Sequence, residues 1–509
     1  MEKRKTINDS RLIDLLKALT GREMRSLSEF VASPFFNKKE KVTRLFEYVK
    51  KRYPGFRAIY RTDLYQYVFQ KKTNKQALDN TQYANLRYAM SDLVKLVQEY
   101  LLHEELKKNE VRQKHQLATV FLERGLQKHV PDLLKTAKEK HALRPQGDPL
   151  HLYDMSQLAE AELFHSLTLD WGKPIGMQAA LDHFHHHALA GQLRLYAAAL
   201  SREHTMPFTY NYLMEKELLE HFSENDYTHV PIVDAYYRMF MLFKGEDIAT
   251  HYARLLEMLT TESDLFSEDE QQNLYPLLFN FCNLQINLGL VEYHVQKFEL
   301  YEYTLPKGLW HYGKYISRDH FILAIRTALE TGNIQGANAV IEQYGDELQP
   351  QHKKPILHLS RVYVLFAQKK YVEAQDALIK MGNPPEGFYY GIYFRLIKIK
   401  VYYELSISQK EGYINLLESE IENLRGYLKR APMSKRNKAS YKRFLRIITR
   451  IYSKRFERVK APSAKILQSI KDDINNPDEL LVERLWLLEK IEEVEVFWNK
   501  AVSRRQVSC

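Results

Sequence analysis

Residues 324–345 read AIRTALETGNIQGANAVIEQYG, and residues 362–382 read VYVLFAQKKYVEAQDALIKMG. Sliding the first onto the second by 37 positions aligns Ile334 with Tyr371, Ala337 with Ala374, Ile341 with Leu378 and Gly345 with Gly382. A small residue one turn into the second helix of a hairpin lets two helices approach closely, and the glycine after it suits a left-handed C-terminal position. The same frame covers, more loosely, Leu288-Gly289-Leu290-Val291 and Lys244-Gly245-Glu246-Asp247-Ile248. A single hairpin cannot bury its apolar face, whereas stacked neighbours build a continuous core and a concave surface. Residues 111–430 therefore read as a succession of helix pairs.

Helical periodicity extends outward from this array in both directions. Leu12, Leu15, Leu16 and Leu19 fall on one helix face, as do Met24, Leu27 and Val31 in the next segment. That second helix is predicted to stop at Ser33, because Pro34 disfavours helical geometry in the residue before it. Asn37 is expected to cap a third helix, with Glu40 reaching back. Between these ends sit Phe35 and Phe36, read as a plug for the corner between helices; the other reading is an exposed docking pair. A long helix over 75–108 carries Leu86, Met90, Leu93, Val94, Val97, Tyr100 and Leu101 as its stripe. Beyond Pro432, helical stretches over 434–457, 463–472 and 478–501 close the chain. The expected class is all-α: an N-terminal helical domain (1–108), an α-solenoid of helix hairpins (111–430) and a C-terminal helical cap (431–509).

On the aligned residues, the array resembles the tetratricopeptide family, with Ala337 and Ala374 in the small-residue place of the second helix and Pro350 and Pro385 near the terminating proline. It departs from that pattern in lacking the Trp and Leu-Gly signature of the first helix, and its repeat exceeds the usual ~34 residues. The resemblance implies architecture and no activity. The segment FVASPFFNKKEKVTRLFEYVKKRYP (30–54) resembles uncharacterised bacterial helical proteins, which implies no activity either.

At 509 residues and 45% apolar content the chain has material for a large core. Two cysteines, Cys282 and Cys509, exclude a disulfide framework and fit a reducing compartment. The first 20 residues lack the apolar run of a secretory signal, and no stretch reaches the roughly 18 uncharged apolar residues of a spanning helix. A cytoplasmic protein without membrane partners is expected. The net charge of +10 is unevenly placed: residues 1–110 carry net +9 and residues 429–465 net +13, which leaves −12 for the rest. Two basic segments are thus set against an acidic chain.

Few residues suggest chemistry. His183 and His187 lie one helical turn apart and could share a metal, but no H-E-x-x-H or Cys pair accompanies them, so no metal or other cofactor is expected. The sequence has no G-x-x-x-x-G-K-[ST], G-x-G-x-x-G or G-x-S-x-G. Neighbouring carboxylates such as Asp472-Asp473 and Glu492-Glu493 are expected to face water, and no catalytic set assembles. The basic stretch near the C-terminus has Phe444, Ile447, Ile448 and Ile451 on one face and Lys435, Lys442, Arg443, Arg446, Arg450 and Lys454 around the other. Those cations suit a nucleic acid or another polyanion. Alternatively they pair internally with Glu483, Glu489, Glu492, Glu493 and Glu495 of the last helix.

The sequence therefore points to a non-catalytic scaffold or adaptor that binds a protein or peptide in a helical-repeat groove. The alternative is an RNA- or DNA-associated factor that uses the basic N-terminal domain and the 434–457 surface.

Overall fold

The computed structural model describes residues 4–73, 77–145, 147–169, 176–409, 412–456 and 462–507. Among them the protein is all-α: 23 α-helices and three short 3-10 turns, with the two-stranded hairpin His311–Tyr312/Tyr315–Ile316 and an isolated bridge between Thr6 and Tyr60 as the only β structure. It divides into two compact units, Met1–Leu143 with Gln157–Ala180, and Arg144–Ser156 with Leu181–Cys509.

The first unit opens with the helices Arg11–Lys17, Gly21–Ala32, Glu40–Lys50, Arg61–Phe69 and Asn80–Lys108. Their stripes meet in one core: Leu12, Leu16, Met24, Leu27, Val31, Leu93 and Val97 are all buried. Thr20 and Glu23 form a capping box at the second helix, and Ser33 leaves helical geometry (ψ 122) ahead of Pro34. The third helix corrects the expected cap. It begins at Glu40, and Asn37 instead donates from Nδ2 to Val31 O (2.9 Å) and Thr43 Oγ1 (3.0 Å) while its Oδ1 accepts from Lys39 N (3.0 Å). Asn37 is thus a tie between two helices. The long helix starts at Asn80, where Asp79 and Gln82 make a second capping box. A separate small core joins Val111, Ala118, Val130, Leu134, Ala137 and Leu158.

In the second unit, consecutive helices pack as pairs: Pro231–Lys244 with Ile248–Thr260, Glu268–Leu288 with Glu292–Thr304, and Arg318–Glu330 with Ile334–Tyr344. Pro350–Ala367 with Tyr371–Met381 and Phe388–Gln409 with Tyr413–Arg430 continue the series. First helices also pack on first helices of the next pair, as Arg318–Glu330 does on Pro350–Ala367. Ala337 and Ala374 are fully buried, the close approach that a small side chain permits. Gly382 has φ +68, the positive value expected of it, but Gly345 has φ −61 and opens a short 3-10 turn. The glycine frame is therefore only half realised.

The chain ends in the helices Lys435–Arg455, Ala464–Asn475 and Arg484–Val507, which pack on one another. Phe444, Ile447, Ile448 and Ile451 form the buried stripe and join the same hydrophobic core as the helix pairs. The last helix starts at Arg484, so residues 476–483 are a connecting segment and not its first turns.

Candidate functional site

The face made by the first helices of the pairs is where a helical-repeat reading places a partner. Here the C-terminal segment lies on it. Ser434 donates to Thr205 O from its N–H (3.1 Å) and to His204 O from its hydroxyl (2.9 Å). Leu481 N–H donates to Asn287 O (2.8 Å), and Trp486 and Lys490 both reach the Glu404 carboxylate. Thus the helices Met177–Thr205, Glu268–Leu288 and Phe388–Gln409 each hold part of the chain's own C-terminal cap.

The centre of this contact is a buried charged seam. Glu483 takes Arg326 Nη2 at 3.3 Å and Lys400 Nζ at 2.7 Å. Arg326 lies over the rings of Tyr363 (5.4 Å) and Tyr393 (4.4 Å), and Lys400 lies over Phe366 and Trp486. On the other side of Arg326, Glu330 faces His294 Nδ1 at 3.3 Å. Burial pushes the Glu330 carboxyl up, but the His294 hydrogen bond with Lys297 and Arg326 outweighs it and holds the group at about 2. Burial also pulls the Lys297 ammonium down, against Glu330. Two carboxylates are thus shared among three cationic side chains out of water, where a missing partner is costly.

The basic helix is internally paired, with a different partner from the one expected. Arg443 is only 5% exposed; it donates from Nη1 to Glu479 O (2.7 Å), from Nη2 to Asp473 O and from Nε to Asp473 Oδ1 (3.3 Å). Arg446 and Arg450 each reach the same Asp473 carboxylate at 2.9 Å. Asp473, expected to face water, is instead the hub for three arginines. Of the acids expected to pair with the basic helix, Glu489 and Glu493 are taken by Lys490 and Glu495 by Lys471, while Glu483, which lies just before the last helix, is taken by the seam. Lys435 and Lys442 are exposed, and Lys454, half-buried, gives its carbonyl to Trp498 Nε1 (2.8 Å). Sequence reasoning missed Asp473 because nothing local distinguishes it from Asp472; a one-residue step on a helix turns a side chain by about 100°.

Phe35 and Phe36 part company. Phe36 stacks on Phe30 with ring centres 3.9 Å apart and lies edge-on to His103, whereas Phe35 is 84% exposed. The corner plug is therefore Phe36 alone, since adjacent residues in a turn point in different directions.

The histidine string is likewise redistributed. His187 packs against Tyr153, and His185 turns to a second helix: its Nε2 lies 2.7 Å from the Tyr227 hydroxyl, which also meets His221 Nε2 at 2.6 Å. One hydroxyl has one proton, so one imidazole accepts it and the other donates. Burial and then His221 lower the His185 pKa, and burial and then His229 lower that of His186. Among the described residues no three His, Cys, Asp or Glu side chains are gathered closely enough to hold a metal ion.

Exposed apolar side chains concentrate just downstream. Gln192 Nε2 and the Tyr196 hydroxyl both donate to Leu213 O, which fixes the 206–214 segment against the helix Met177–Thr205. Leu195 on that helix and Leu213 and Met214 on the tied segment are each about two-thirds exposed. Met214 is held at φ 60, which a methionine seldom adopts. Among the described residues no helix is long and apolar enough to cross a membrane. Comparison with protein-family models, with curated proteins and with solved structures finds no match to this chain.

Proposed function

We propose that this protein is a non-catalytic scaffold or adaptor that binds a protein or peptide partner. The stacked helix pairs support a tetratricopeptide-like reading of the array, and one observation carries the binding role: Leu213 and Met214, on a segment tied to the helix Met177–Thr205 by Gln192 and Tyr196, and Leu195 on that helix are each about two-thirds exposed. An apolar patch kept in water without internal use is the usual mark of an interaction surface. Because the C-terminal cap covers the first helices of several pairs, this patch, and not the covered face, is the docking surface we assign. A cytoplasmic setting fits the lone described cysteine, Cys282, whose thiol burial pushes up to about 12 and so leaves unreactive.

The RNA- or DNA-associated alternative has less support. Three of its six cations are occupied by Asp473, which leaves it the exposed Lys435 and Lys442 and the basic N-terminal residues. The test is capture from the native cell, with and without nuclease, by the wild-type chain and by Leu195→Glu/Leu213→Glu. The adaptor reading expects a nuclease-resistant, salt-tolerant partner that the double variant loses while melting normally. A partner set that vanishes with nuclease would give the role to nucleic acid.

A further inference from the structure

Between the helices Glu215–Glu224, Pro231–Lys244 and Ile248–Thr260 lies a cavity of about 360 Å³. That is the scale of a pocket for one small group. Asp234 lines it and is only 4% exposed. Its Oδ1 is ion-paired to Arg238 Nε at 2.9 Å, but its Oδ2 is buried with no hydrogen-bond partner, as are Nδ1 of His251 across the cavity and Arg238 Nε itself, whose contact with Oδ1 is an ion pair and not an aligned hydrogen bond. Buried polar atoms are paired in the great majority of cases, so three such atoms on residues lining one cavity are a specific signal.

The charges around the orphans define what could satisfy them. Three carboxylates, Glu224, Asp226 and Asp234, face a single guanidinium, Arg238, and burial lowers the His251 pKa, which favours its neutral form. The lining is therefore short of positive charge. Asp226 has both oxygens oriented by Thr228, whose N–H and hydroxyl each donate at 2.9 Å, so its remaining acceptor capacity is fixed in direction. The apolar wall is aromatic: Tyr237 stacks on Phe222 at 4.3 Å, and Tyr227 closes the side toward the histidines. A hydrocarbon stem along the rings and a cationic head among carboxylates is the build of a lysine or arginine side chain.

We propose that this cavity receives a lysine or arginine side chain of the partner peptide, the cationic head donating to the free Asp234 Oδ2. The proposal rests on the adaptor reading and adds to it the chemistry of one partner residue. An anion would meet three carboxylates, an apolar side chain would leave Asp234 Oδ2 unsatisfied, and a neutral donor could pair with Oδ2 but would not offset the excess of carboxylates.

The experiment uses the full chain and capped tripeptides, acetyl-Gly-Xaa-Gly-amide, with Xaa as Arg, Lys, norleucine or Glu. Binding is followed by calorimetry and by the His251 imidazole resonance. The Arg and Lys peptides should bind saturably and shift the His251 signal, while norleucine and Glu peptides bind at least tenfold more weakly. Asp234→Asn should weaken the cationic peptides by tenfold or more. Since Asp234 also holds Arg238, the variant Glu224→Gln/Asp226→Asn, on the turn at the rim, provides a second measure and should weaken them several-fold without altering the melt. No saturable binding by wild-type protein up to about 10 mM peptide, norleucine binding equal to lysine, or unchanged affinity in the rim variant would each overturn the proposal. n-Butylammonium binding as tightly as the lysine peptide would assign the cavity to a free amine and overturn its peptide part. The adaptor reading would survive any of these results if the Leu195/Leu213 variant still lost its captured partner.

Discussion

Arg326 and Glu483, 157 positions apart in sequence, meet at 3.3 Å inside the second unit, where Glu483 also takes Lys400 at 2.7 Å. All three side chains are mostly buried, so the ion pairs tie the segment that leads into the last helix to the helix pairs through groups that cannot return to water without unfolding.

Glu483→Gln should therefore be strongly destabilising. It leaves Arg326 and Lys400 with their charges facing only Glu330 and aromatic rings, and loss of one partner of a buried pair costs about 3–5 kcal/mol. Denaturant melts of the purified variant measure this, and a loss below about 1 kcal/mol, the range of exposed pairs, would mean that the seam is solvated.

Arg443 and Arg446 share Asp473 but should not respond alike. Arg443→Glu places a carboxylate among Asp473 and the Glu479 and Asp473 carbonyls in a dry site, with a cost of several kcal/mol. Arg446→Glu, at a largely exposed position, should cost about 1 kcal/mol or less. Equal effects on the melting curve would contradict the assignment of Asp473 as a buried hub for Arg443.

The two phenylalanines of the 33–40 turn separate stability from surface. Phe36→Ala removes the stack on Phe30 and should destabilise the first unit by about 1–3 kcal/mol, whereas Phe35→Ala should stay within about 0.5 kcal/mol. Thermal melts of the two single variants distinguish them; a large effect of Phe35→Ala would place that ring in the core.

Ala374→Trp tests the packing of the helix pair around residues 350–381. The site is fully buried, and overpacking there should cost about 1–3 kcal/mol, visible as a lower melting temperature. An unchanged melt would show that the helices can separate at no cost.

His320 gives the pH dependence. Its ring stacks on Trp310 at 3.7 Å, and burial, with Lys297 adding and Asp319 opposing, lowers its pKa to about 4. The unfolded imidazole titrates near 6.5, so above that pH both states are neutral and the group has no effect. As pH falls from about 6.5 to about 4 the unfolded chain binds a proton that the folded one does not, and stability declines; below that range the loss levels off. His320→Phe should flatten this part of the stability profile, and the wild-type His320 resonance should titrate near 4.

The stripes Leu12/Leu16, Met24/Leu27/Val31 and Phe444/Ile447/Ile448/Ile451 were legible in the sequence and are buried in the structure, because a helix repeats every 3.6 residues and its apolar face is a local property. The stop before Pro34 was legible for the same reason, since one peptide unit enforces it. Helix starts were less so: Asn37 and Asp79 are both cap-forming residues, and only Asp79 caps, because the Asn37 Oδ1 accepts from Lys39 N–H, ahead of a helix that begins at Glu40.

The amino-acid sequence by itself determined that this chain is helical, where its apolar faces lie and that its charge is divided, each being a matter of residue type and spacing. Only the tertiary structure decided which partner each charge meets. Asp473 rather than the acidic last helix collects the arginines, Glu483 rejoins Arg326 across the array, and Asp234 is left with an open oxygen beside a cavity. Side-chain pairing depends on which helices become neighbours, and that is set by how the buried faces of distant segments fit together, a long-range outcome that no local pattern of hydrophobic and charged residues encodes.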